Sequence, residues 1–150
     1  MIVCRFEIPA TRQKGFQEIQ HHKNQFYDEP PPHVPLVIPK IRILHKDIYT
    51  IGHKLSKSSK LGIHSAVEKL CLEILALAIE SAFLPRHRKE QTLELLRVKI
   101  ELEKNLVRSE HELAIIDERA YLSISEQLVE ISRDVSNWIN FITHNTAKRG

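Results

Sequence analysis

The sequence predicts an all-α protein, an antiparallel up-down-up-down four-helix bundle with an N-terminal extension, and three observations carry that reading. Four segments repeat apolar residues at alternating three- and four-residue spacings, the breaks between them are short, and glycine and aromatic residues are scarce. With four glycines and 6% aromatics, the turns and pleated faces of an all-β fold would be hard to build. A chain of 150 residues, 42% hydrophobic and 27% charged, suits one compact domain with a single core.

In chain order, residues 1–8 alternate Ile2, Cys4, Phe6 and Ile8 against Val3, Arg5 and Glu7, a short strand pattern that Pro9 ends. Residues 9–35 are polar and include Pro30, Pro31 and Pro32, so residues 1–35 read as an arm and 36–150 as the helical domain. A lone strand does not fold by itself; if ordered, its partner is another copy or another protein. Pro39 suits a first helical turn, where its missing amide hydrogen has no partner to lose. From there Ile41, Leu44, Ile48, Ile51 and Leu55 define helix one, about 38–56, which stops at the serines of 56–59. The linker SKSSKLG is short enough to return helix two antiparallel.

Helix two, about 63–84, has its seam at Ile63, Val67, Leu70, Ile74, Leu77 and Leu84, flanked by Leu72, Leu75 and Ile79. Glu68, Lys69, Glu73 and Glu80 interrupt it well before the roughly 18 to 20 apolar residues of a membrane span. Pro85 breaks the chain, and Arg86, His87, Arg88 and Lys89 make a basic turn. Helix three, about 88–116, is assigned a seam of Leu95, Leu102, Leu106, Leu113 and Ile116. Asp117 is placed to cap helix four, about 118–144, whose seam is Tyr121, Ile124, Leu128, Ile131, Val135, Trp138 and Ile142. A polar, basic tail follows to residue 150.

Little in this sequence announces catalysis. Cys4 and Cys71 are far apart and Cys71 lies in a helical seam, so no disulfide framework or Cys-x-x-Cys site is expected. With no secretory leader visible, the expectation is a reducing, cytoplasmic setting. A di-metal bundle needs Glu-x-x-His pairs on two helices; the one such pair, Glu18 with His21, lies in the arm. The zincin pattern begins at His111 and Glu112 but meets Ile115 where the second histidine belongs. Four glycines supply neither a phosphate-cradling loop nor a nucleophile elbow. No enzyme activity, cofactor or metal is expected.

The formal net charge is +3 and the sequence pI about 8.9. Residues 1–35 hold four Lys/Arg and four Asp/Glu, so the excess, 18 against 15, lies in residues 36–150. On helix three Arg97, Lys104, Arg108 and His111 stand at offsets of seven, four and three, which aligns them along one side. Arg86, Arg88 and Lys89 precede them, and Lys57 and Lys60 occupy the first linker. Cations spaced in this way track a phosphate backbone with salt-dependent, sequence-indifferent affinity. The competing account is ion pairing on a solvated helix, because Glu94, Glu101, Glu103 and Glu110 interleave with them. No aromatic platform accompanies the stripe. Off the seams, Val98 and Ile100 on helix three and Leu122, Ile139 and Phe141 on helix four leave two readings open, a surface for self-association or a wide core face.

From Ile38 to Thr143 the chain resembles a four-helix-bundle family: the accessory variability determinant (Avd) proteins of diversity-generating retroelements and the proteins of ribosomal-RNA intervening sequences. The likeness rests on LSKSSKLGIHSAVEKL, on LVRSEHELAIID, and above all on YLSISEQLVEISRDVSNWI, with Tyr121, Ser125, Gln127, Leu128, Ile131, Arg133, Trp138 and Ile139 in place. The chain departs from the family at Ser56, where proline is frequent, and at Ser136 and Asn137, where a glycine pair is frequent. What the resemblance implies is a non-catalytic accessory protein that binds a reverse transcriptase and RNA or DNA and assembles as a homo-oligomer, a pentamer. It also implies that Lys104 and Arg108 face nucleic acid, with Arg97, Lys57 and Lys60 secondary. The intervening-sequence relatives imply the alternative, an oligomeric scaffold protein that binds another protein.

Overall fold

A computed structural model of the chain describes residues 35–147. The expected strand at residues 1–8, the rest of the arm to residue 34 and the tail at 148–150 lie outside the described residues. Residues 34–150 make up one compact unit, and its described residues contain helices and no strand. The helices are α1 (Val37–Gly52), α2 (Lys57–Leu61), α3 (Ile63–Phe83), α4 (Arg86–Glu112) and α5 (Glu118–Ala147). Among the described residues no helix is long and apolar enough to cross a membrane.

Helix α1 buries Val37, Ile41, Leu44, Ile48 and Gly52, a stripe at three- and four-residue spacing. It ends four residues before the expected position because α3 comes close. A Cβ added to Gly52 would lie 2.6 Å from Nε2 of His64, so only glycine admits that ring, and glycine weakens helix continuation. Within the stretch expected to be a plain linker, Ser56 then starts a new helix. Its Oγ accepts the Ser59 amide at 3.3 Å, satisfying one of the first-turn N–H groups that lack helical partners.

Helix α3 buries His64, Val67, Leu70, Cys71, Ile74, Ala78, Ser81 and Ala82. Of the flanking row, Leu72 and Ile79 are exposed, while Leu75 is half-buried against the core. Pro85 opens α4 from an extended conformation, two residues earlier than expected. The covered face of α4 corrects the sequence reading: Leu95, Leu102 and Leu113 are 48%, 49% and 65% exposed. The buried row is instead Leu93, Leu96, Ile100, Glu103, Val107 and Glu110, spaced three, four, three, four, three. Two carboxylates occupy that row, so a search for apolar residues alone selects the neighbouring leucines.

Helix α4 also stops earlier than expected, in a left-handed cap. Ala114 has φ 53°, the Ala114 amide donates to His111 O and the Ile115 amide to Glu110 O, both at 2.9 Å. These are the paired bonds of a Schellman motif. Asp117 caps α5 as expected, with Oδ1 accepting the Ala120 amide at 2.7 Å. Helix α5 buries Ile124, Leu128, Ile131, Val135, Ile139 and Ile142, while Leu122 and Phe141 are exposed. Of the off-seam residues, Ile100 and Ile139 therefore belong to the core, and Val98, Leu122 and Phe141 to the surface.

Each long helix packs against two others: α1 on α3 and α5, and α4 on α3 and α5. Polar contacts fix the register. Lys40 meets Asp134 at 2.6 Å and Asp47 accepts from Gln127 at 2.8 Å; Lys99 meets Glu73 and His64 meets Glu110, each at 2.7 Å. In both pairs of helices the residue number rises on one as it falls on the other. Burial of a Leu, Ile or Val side chain contributes roughly 1.5–3 kcal/mol, and the four inner faces meet in one apolar cluster.

Candidate nucleic-acid interface

The structure sorts the nine cationic candidates by what holds them. Arg97 and Lys104 each pair with a carboxylate three residues earlier on α4: Arg97 with Glu94 at 2.7 Å and Lys104 with Glu101 at 2.6 Å. The ion-pairing account thus describes two of the four stripe members. Exposed pairs of this kind contribute little and open readily to a competing anion. Arg108 is exposed, and among the described residues no carboxylate lies within 4 Å of it. His111 stacks on Tyr121 of α5, ring centroids 4.5 Å apart, and with Lys54 and Asp117 lines an open groove of ≈ 600 Å³.

The basic turn has structural duties. Arg86 donates from its guanidinium to Ile142 O at 2.7 Å and Phe141 O at 3.4 Å, carbonyls near the C-terminal end of α5, where positive charge is favoured. Lys89 donates to Ala82 O at 3.0 Å, near the end of α3. Arg88 is exposed. About 20 residues of helix separate Arg88 from Arg108, roughly 30 Å at 1.5 Å per residue, so the nine residues do not form one patch. Lys57 is exposed and Lys60 half-buried on α2, which packs on α3 beside its first turn. His64 in that turn bonds Glu110 on the last turn of α4, so Lys57, Lys60, Arg108 and His111 lie toward the same end of the molecule.

Sequence reasoning missed a polar cluster in the interior. His64 is fully buried with Nδ1 2.7 Å from Glu110 Oε1 and Nε2 3.1 Å from Ile48 O. A carbonyl only accepts, so Nε2 carries hydrogen, and a single proton lies between Nδ1 and the carboxylate. The pair is neutral overall. The hydrogen bond to Glu110 raises the His64 pKa, against the opposing effect of burial. Glu103, one helical repeat earlier, is fully buried with neither oxygen bonded among the described residues. Burial, with the Glu110 charge adding, pushes its pKa up to about 8, so it is neutral at pH 7. Burial likewise pushes the Cys71 thiol up to about 12, which leaves it unreactive. The signal for this cluster was two acids seven residues apart on α4, opposite a histidine and a cysteine seven apart on α3.

Among the described residues no three His, Cys, Asp or Glu side chains are grouped to hold a metal ion. The interior acids instead alter the field outside. The formal charge of +3 counts Glu103 and Glu110 as anions; a neutral Glu103 and a neutral His64–Glu110 pair raise it by two. Of six acids on α4, two are thus withdrawn from the surface that carries Arg97, Lys104 and Arg108. No family model, curated protein or solved structure matches the chain.

Proposed function

We propose that this chain is a non-catalytic accessory protein that binds nucleic acid through exposed cations, of the kind its resemblance to the retroelement Avd proteins implies. In this reading the four long helices form an up-down-up-down bundle, a reverse transcriptase performs the chemistry, and the bundle holds the RNA template or its DNA copy. The observation that carries it is the placement of charge on α4, with two carboxylates turned inward and neutralised while Arg108 stands exposed without an acidic partner among the described residues. Lys104 joins Arg108 by exchanging Glu101 for phosphate, and Lys57 and Lys60 extend the contact at the same end. Such binding follows counterion release and ignores base sequence.

Replacing Lys104 and Arg108 together with alanine is expected to weaken binding to single-stranded RNA and to reduce the slope of log K against log salt by about 1.4, or roughly 0.7 per phosphate contact. Circular dichroism of the variant should match the parent. An unchanged affinity and slope would remove this surface from the account.

A second reading, the oligomeric scaffold, draws on different residues. Leu95, Val98 and Leu102 on α4 and Leu122 and Val129 on α5 are large, apolar and exposed, and a homo-oligomer such as the pentamer of the Avd proteins would cover apolar surface of this kind. Light scattering of the full chain at micromolar concentration tests it; a monomer would contradict it.

A further inference from the structure

Formal charge is not spread evenly along the described chain. Residues 37–60 hold six Lys/Arg and one acid, Asp47, and that acid accepts a hydrogen bond from Gln127 on the side facing α5. Lys40 is on the same side, paired with Asp134 and Glu130. On the remaining outer side of α1, Arg42, Lys46, Tyr49 and His53 follow at spacings of four, three and four, so they form one row, and all four are exposed. Among the described residues no carboxylate lies within 4 Å of Arg42 or Lys46. The row spans about 16 Å.

Tyr49 supplies an exposed aromatic ring, whereas the Tyr121 ring beside the α4 stripe is half-buried and stacked on His111. The Tyr49 ring lies between two imidazoles, with the His53 centroid 4.5 Å away in an edge contact and the His45 centroid 6.5 Å away, stacked at 29°. Beside the row an open groove of ≈ 510 Å³ runs between α1 and α3, lined by Pro39, Arg42, Ile43, His45, Lys46 and Leu75.

We infer that the outer side of α1 is a contact surface for single-stranded nucleic acid, with Tyr49 stacking an unpaired base and Arg42 and Lys46 holding the flanking phosphates. It rests on the reading above and adds a second, aromatic-bearing face to it. Alternating cations with an exposed ring is what single strands require, because an unpaired base offers a π-face to the ring while the backbone follows the charges. A duplex keeps its bases stacked on each other and gains nothing from Tyr49. A membrane-surface helix turns its apolar side to lipid, whereas the apolar side of α1 is committed to the core. Lys57, one turn of chain beyond His53, continues the path onto α2.

The test is fluorescence anisotropy of the full chain with a labelled oligouridylate of about a dozen nucleotides, using Tyr49→Ala, Tyr49→Phe and the double variant Arg42→Ala with Lys46→Ala. Each substituted side chain is exposed, and melting curves confirm folding. Tyr49→Ala is expected to weaken binding about 5- to 100-fold, the effect of losing one stacked base, and Tyr49→Phe to leave it unchanged. The double variant should lower the salt slope by about 1.4. If the parent binds and all three variants bind like it, the α1 surface is refuted while the proposed function stands. Failure of the parent to bind at low salt overturns both. Tighter binding to duplex RNA, or binding to phosphatidylserine vesicles with the same dependence on these residues, also overturns the α1 proposal.

Discussion

Gly52 and His64 meet so closely that one methyl group decides whether α1 and α3 keep their spacing. The ring is held at both nitrogens, so it cannot swing away from a Cβ that would lie 2.6 Å from Nε2. Gly52→Ala is expected to destabilise the fold by about 1–3 kcal/mol, the usual cost of overpacking, read as a lower urea midpoint at unchanged m-value. Glu103 gives a second residue-level expectation. Its native pKa of about 8 exceeds the unfolded value, so the native state holds a proton that the unfolded state has released. Stability should then fall as pH rises from about 5 to 8, with a slope approaching 1.4 kcal/mol per unit, and level off above. His64, also raised, acts in the same direction: its contribution is complete below its unfolded pKa and fades as pH climbs through the native one. Glu103→Gln should flatten much of this dependence in urea titrations at several pH values; an equally steep profile would contradict a neutral, buried Glu103. None of this was legible as a site in the sequence, because an acid at a core position looks the same as an acid on a solvated face until the helix is oriented.

At the scale of the element, spacing located the helices well and oriented most of them. Helix α5 buries the Ile and Leu positions its periodicity selects, α1 buries Ile41, Leu44 and Ile48 but leaves Ile51 half-buried and Leu55 beyond its end, and Asp117 caps α5 as its position suggests. The face of α4 was misassigned because two of its six inner positions are glutamates, while its exposed leucines repeat at the same spacing as a core. Helix ends were the least legible, since they depend on tertiary contact at Gly52 and on backbone geometry at Ala114. That geometry makes a prediction. A non-glycine residue in the left-handed region costs roughly 1–2 kcal/mol, so Ala114→Gly is expected to raise stability by about 1 kcal/mol, measured as a higher urea midpoint. Asp117→Ala should do the reverse, by about 1 kcal/mol, through loss of the bond to the Ala120 amide.

At the scale of the molecule, the all-helical character of the described residues follows from composition and period, but the distribution of charge does not. The sequence shows +3; packing decides that two acids are neutralised inside, that Arg86 and Lys89 bond main-chain carbonyls, and that the row on α1 faces outward. The nine cations singled out in the sequence therefore include two that bond main-chain carbonyls, Arg86 and Lys89, and two stripe members, Arg97 and Lys104, that pair with carboxylates. The central claim is that the exposed cations of this helical protein bind a polyanion. The measurement that tests it most directly is a titration of the full chain with labelled single-stranded RNA over a range of salt concentrations. The account predicts a linear fall of log K with log salt, with a slope of about −2 to −3, as for three or four phosphates neutralised. No binding at low salt, or an affinity indifferent to salt, would contradict it.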